Sequence, residues 1–190
     1  MRIDSLLRAA VSLLAPRRTS AAPRDRRRSR PAAPSPSAGP KPSAPSLAPS
    51  GATIREYDVE GWGTPSLSYS PDPDNEADPG EVVWGWVPYE DDPRQGKDRP
   101  VLVVGTRGRD LVGVQLTSKD HSRDGGREAA RGRTWVDVGS GAWDSRGRES
   151  EVRVDRVLLV PRGAVRREGA TLARVRFDVV VAALRGHHGW

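Results

Sequence analysis

Between residues 94 and 121 the chain gathers side chains able to hold and work on a charged group: Arg94, Lys97 and Arg99, then Thr117, Ser118, Lys119 and His121. A guanidinium presents a planar fork of donors that grips two oxygens of a phosphate or carboxylate, which an ammonium does not reproduce. The two hydroxyls can donate to the same group or position it. His121 belongs to the one side-chain type that exchanges protons near neutrality. Taken alone, Arg99 reads as a surface arginine paired with Asp98, Thr117 as an ordinary strand-end residue and His121 as a solvated loop histidine. The chain has no cysteine, which excludes disulfides, thiol catalysis and cysteine-based zinc sites. Its three histidines, two of them adjacent near the C-terminus, show no metal-ligand spacing.

These groups fall on the loops and ends of a small sheet. Residues 81–87 are β-branched and aromatic, 100–105 form a continuous apolar run, and 111–117 alternate apolar with small or polar types. The polar stretch 88–99, with Pro88, Pro93 and Gly96, reads as a loop. Residues 106–110 make a tight connection in which Gly108 is free to adopt positive φ. Trp84 and Trp86, two apart on one strand, point the same way and read as core. Residues 118–133 form a long charged loop holding Gly125 and Gly126. A short strand at 134–138, a turn-rich loop at 139–148 with Trp143, and a strand at 150–160 ended by Pro161 follow. Leu172, Val175, Val179, Val180, Ala183 and Leu184 lie at helical spacing and predict a helix over 165–184, with Gly186 as its cap. Five short strands and one packed helix make a mainly β fold with a C-terminal helix.

Charge divides the chain. The 190 residues carry a net +6. Residues 1–50 hold nine of the 17 prolines and ten Lys/Arg against two Asp, a net of +8. They read as a basic Pro/Ala/Ser/Arg-rich disordered tail, in which residues 4–15 can form a short helix. Backed by its arginines, the 1–30 stretch could also touch a membrane surface. Residues 51–78 read as an acidic linker with Trp62, Leu67 and Tyr69 as its apolar anchors; 51–79 sum to −6. Residues 80–190 carry +4, so the basic balance belongs mainly to the tail and does not by itself argue that the folded part binds nucleic acid. No apolar run approaches the ~20 residues of a membrane span. Arg8 interrupts the first apolar stretch, which argues against a signal peptide.

Four pieces in order carry a resemblance. A PGEVVW strand, a Gly-rich loop ending in an Arg-Pro pair (Gly96, Lys97, Asp98, Arg99, Pro100), a VLVV strand and a strand closing on LTSK together resemble the PemK/MazF family. Those are toxin endoribonucleases of bacterial type II toxin–antitoxin systems. The resemblance covers residues 79–185, leaving 186–190 as a C-terminal tail, and implies a compact SH3-like β-barrel. It implies metal-independent cleavage of single-stranded RNA without a cofactor, growth inhibition, RNA and DNA binding, a cytoplasmic location, a cognate antitoxin and a homodimer. Carried over by position, the catalytic residues are Arg99 and Thr117, with Ser118, Lys119 and His121 as further candidates. Arg94, Lys97 and Trp143 become candidates for RNA contact, Trp143 by stacking. Two features depart from the family: the acidic set Glu90, Asp91, Asp92 and Asp98 beside the proposed phosphate site, and the long 118–133 loop. A competing expectation is a catalytically silent SH3-like module that binds a protein or nucleic acid, since fold does not fix function.

Overall fold

The strands of this chain form because apolar residues are supplied to both faces of one sheet. In the computed structural model the described residues are 46–47, 51–121 and 125–190. In chain order the strands are β1 (Ser46–Leu47), β2 (Arg55–Glu56), β3 (Ser66–Leu67), β4 (Glu81–Pro88), β5 (Gln95–Arg107), β6 (Asp110–Thr117), β7 (Trp135–Gly139), β8 (Ser150–Val160) and β9 (Val165–Thr171). The helices are α1 (Val59–Trp62), α2 (Gly125–Ala130) and α3 (Arg174–His188). All pairings are antiparallel. The sheet runs β2-β8-β6-β5-β4-β9, with β7 added on β8 and β1 and β3 on β5. It curls into a half-barrel.

Successive residues of a strand point to opposite faces, so a run buried on both faces is apolar without alternation. Along β5, Leu102 and Val104 enter one core with Val82, Val114, Val152 and Phe177. Val101 and Val103 enter the other, with Val83, Leu111, Leu158 and Ile54. This explains the VLVV run. Between β5 and β6, Gly108 makes the tight turn at φ 60°, as its sequence position predicts.

Residues 88–99, expected as a loop, are strand at both ends, at Pro88 and 95–99, and the loop is confined to 89–94. β4 runs through Pro88 and β5 starts at Gln95, pairing Pro88 with Gly96, Trp86 with Asp98 and Gly85 with Arg99. A backbone ladder accepts polar side chains wherever one face is open, and a local polarity pattern does not register that. Within the 118–133 loop, residues 125–130 form α2.

The predicted helix over 165–184 divides in two. Residues 165–171 are β9, held to β4 with two register shifts, and the helix starts at Arg174. α3 buries Phe177, Val180, Val181 and Leu184, while Val175 and Val179 point outward at 71% and 53% exposure. Its left-handed cap is Gly189 at φ 70°, three residues beyond Gly186.

Residues 51–78 are built into the domain. Asp58 caps α1 by accepting the Gly61 N–H at 2.8 Å. Ile54 and Tyr57 are buried. Arg107 donates to the Trp62 carbonyl at 2.9 Å and lies 5.1 Å over its ring. Tyr69 donates to the Leu172 carbonyl at 2.9 Å and packs edge-on to Phe177. Burial of one isoleucine alone contributes about 1.5–3 kcal/mol. The tail, the short helix at 4–15 and the membrane contact by 1–30 lie outside the described residues. Among the described residues no helix is long and apolar enough to cross a membrane.

Candidate functional site

β5 is longer than its neighbour, and the site lies where that neighbour ends. The β5–β6 ladder is paired from Val101↔Gln115 onward. Residues 95–100 therefore project past β6, while Thr117 at the end of β6 turns to pair with Glu151 of β8. This brings Lys97, Arg99 and Thr117 to a common wall. On one side is a cleft of about 230 Å³ that also takes in Trp84, Ser118, Trp143, Arg148 and Ser150. On the other is a cavity of about 360 Å³ reached by Lys119, His121, Arg153 and Arg156.

The wall is cationic. Arg99 is half-buried, and no side chain or carbonyl among the described residues pairs with its guanidinium. Burial pushes its pKa below the ordinary arginine value; Tyr89 opposes that shift, and the neighbouring charges of Arg156 and Arg153 add to it. Arginine stays protonated near neutrality regardless. Lys97 is lowered by burial and then by Arg99. Arg156 is lowered chiefly by burial, its Nη1 donating to the Pro88 carbonyl at 3.0 Å. Arg153 differs: against the effect of burial, hydrogen bonds to Glu90 and Asp155 raise its pKa. Its guanidinium donates to Glu90 at 2.7 and 2.8 Å and to Asp155 at 2.6 Å, which neutralises it. Arg99 and Lys97 thus remain uncompensated, and an oxyanion placed between them gains charge-assisted hydrogen bonds from two half-buried cations.

At Thr117, Oγ1 accepts the backbone N–H of Lys119 at 3.1 Å, leaving the hydroxyl proton to donate outward. Ser118 lines the same cleft. Lys119 is exposed at the rim of the second cavity. His121 is not a solvated loop residue. It is buried, its ring stacked flat on Trp135 with centroids 3.9 Å apart and its Nδ1 2.7 Å from Glu151 Oε2. Trp143 lines the cleft at 4% exposure with its indole N–H on Ser150 Oγ at 3.1 Å, so it forms wall rather than an open stacking face. Trp84 is the more exposed aromatic there. Arg94 lines neither cavity; it lies in the exposed turn before β5, paired with Asp92 at 3.0 Å. Hydrogen bonds from Arg94 and Gln95 hold the Asp92 carboxyl at about 2.

Two of the acidic neighbours of Arg99 are engaged by other arginines, while Asp91 lines the second cavity with it. Asp98 pairs with Arg166 at 2.9 Å, and Glu90 with Arg153 and Arg133. Sequence reasoning missed Glu151, Arg153, Arg156 and Arg148. The first two alternate with Val152 and Val154, a period-two signal that places them together on one face of β8. Arg148 sits in a loop, paired with Asp144 at 2.7 Å, and carries no such signal. No group of three or more potential metal-ligating side chains occurs among the described residues.

A half-barrel closed by a C-terminal helix, with an uncompensated arginine beside a strand-end hydroxyl, defines a small barrel-like protein with a cationic cleft. The chain belongs to the PemK-like, MazF-like toxins of type II toxin–antitoxin systems, whose family model matches residues 78–187. Every residue of the common wall falls inside that match. Membership implies an antitoxin partner. Comparison with curated proteins gives no match.

Proposed function

We propose that this toxin is an endoribonuclease that cleaves single-stranded RNA at the Arg99–Thr117 wall. The observation that carries the reading is the Arg99 guanidinium itself, half-buried, without a partner among the described residues, and shared by both cavities. The reaction is attack of a ribose 2′-oxygen on the adjacent phosphorus. Negative charge grows on the non-bridging oxygens as the bond to the 5′-oxygen breaks. Arg99 grips two of those oxygens, Thr117 donates its hydroxyl to one, and Lys97 adds charge from the same wall. No step of this sequence requires a metal. The toxin acts as a two-fold dimer, for which the outward Val175 and Val179 of α3 offer apolar contact surface, and its antitoxin restrains it.

The test is incubation of the purified full chain with a long RNA in EDTA. Cleavage is expected, with Arg99→Ala slower by about 10²–10³, the scale of one lost electrostatic stabiliser. Full activity in a folded Arg99→Ala protein would show that the site is misplaced.

A further inference from the structure

The cavity behind the Arg99–Thr117 wall holds a histidine prepared more carefully than a loop position requires. His121 follows the end of β6 by four residues, yet three elements fix it. Glu151 of β8 accepts the His121 backbone N–H through both oxygens, at 3.1 and 3.2 Å, and meets Nδ1 at 2.7 Å. Trp135 of β7 stacks on the ring within 3° of parallel. Trp135 is in turn locked by its indole N–H on Glu128 of α2 at 3.1 Å, a carboxylate also paired with Arg133 and Arg131. Position and rotation of the ring are therefore determined.

With Nδ1 donating to the carboxylate, the tautomer is set and Nε2 carries the free lone pair. Nε2 has no partner among the described residues, and His121 lines the cavity together with Arg99, Thr117 and Lys119. A stacked, carboxylate-oriented imidazole in a cavity shared with an uncompensated guanidinium is the arrangement of a base with its orienter.

We propose that His121 is the general base of this site and that Glu151 is its positioning residue, a proposal that rests on the ribonuclease reading. Nε2 takes the proton of the 2′-hydroxyl as that oxygen bonds to phosphorus. The P–O5′ bond breaks with its electron pair going to O5′, which is protonated from solvent. The products are a 2′,3′-cyclic phosphate and a free 5′-hydroxyl, and His121 returns its proton to water. Of the charged groups lining the two cavities that His121 reaches, Glu128, Asp137 and Glu151 line one, Glu90, Asp91, Lys97, Arg99, Lys119, Arg153 and Arg156 the other, and Arg133 both.

The experiment is a pH–rate profile of RNA cleavage by the full chain and by His121→Gln, His121→Asn and Glu151→Gln. Melting temperature and affinity for a 2′-deoxy, uncleavable analogue are measured alongside. Both His121 variants keep a polar group against Glu151, and whichever retains the wild-type melting temperature is read. The expected result is a kcat lower by about 10²–10⁴, analogue affinity within threefold, and loss of the acid limb of the profile. Glu151→Gln, which keeps an acceptor for Nδ1–H but removes its charge, should lower kcat and leave KM. A folded His121 variant with the wild-type rate and acid limb overturns the proposal while leaving the ribonuclease reading intact. Absence of cleavage by the wild-type chain overturns both.

Discussion

Gly85 and Arg99 stand opposite each other in the β4–β5 ladder, and a Cβ at Gly85 would lie 2.5 Å from Ile54 Cδ1. The residue facing the proposed phosphate-binding arginine is thus small because a side chain from the segment before β4 occupies the space. Gly85→Ala is expected to destabilise the fold by about 1–3 kcal/mol, the scale of overpacking. Shortening the obstructing side chain in Gly85→Ala/Ile54→Val should recover part of that loss. Denaturant midpoints of the two single variants and the double variant measure the coupling. Strictly additive effects would mean that the two positions do not compete for one space.

Thr117 is predicted to act through its hydroxyl proton. Its oxygen already accepts from Lys119, so Thr117→Ser keeps both functions and should stay within about threefold of wild-type kcat. Thr117→Val has nearly the same shape without the donor. It should lose on the order of 10²-fold in kcat, together with about 1 kcal/mol from the turn it no longer accepts. Single-turnover cleavage and thermal melts separate the two effects. A Val variant as active as the Ser variant removes Thr117 from the chemistry.

Glu90 makes stability fall in acid. Its hydrogen bonds from Arg153 hold its carboxyl below the usual glutamate value, against the opposing effect of burial. A carboxylate depressed in the folded state stabilises fully above its unfolded pKa, 4.5 here, and that contribution fades as pH falls through the lower folded value. The side chain is 38% exposed. Solvent screening therefore holds the effect to about 1 kcal/mol or less. Glu90→Gln should be the less stable protein at pH 7 and match wild type by pH 3 in urea titrations. An equal gap at both pH values would mean that the pair contributes nothing pH-dependent.

Arg99 and Thr117 were legible in the sequence because the Arg-Pro position and the LTSK strand end fall in one local pattern. Their environment was not. His121 lies in a run of charged residues whose composition signals solvent, and its burial is set by Glu151, thirty positions away on another strand. Trp143 sits in a turn-rich stretch and is buried because it joins the core that β4, β5 and α3 build. The helical spacing after residue 172 located α3, but the polar VRREGA run before it gave no period. Its strand exists because β4 offers a second edge. Chemistry that depends on residue type is readable along the chain; burial that depends on pairing is not.

The sheet's outer edge at β9 has a consequence for how copies of this protein meet. Its two register shifts break the even ladder that an added strand needs, and exposed Arg166 sits on it, tied to Asp98. Bulges and edge charge are the devices by which natural sheets refuse further strands. An added strand would find no even ladder at β9, which makes this edge a poor template for a cross-β stack.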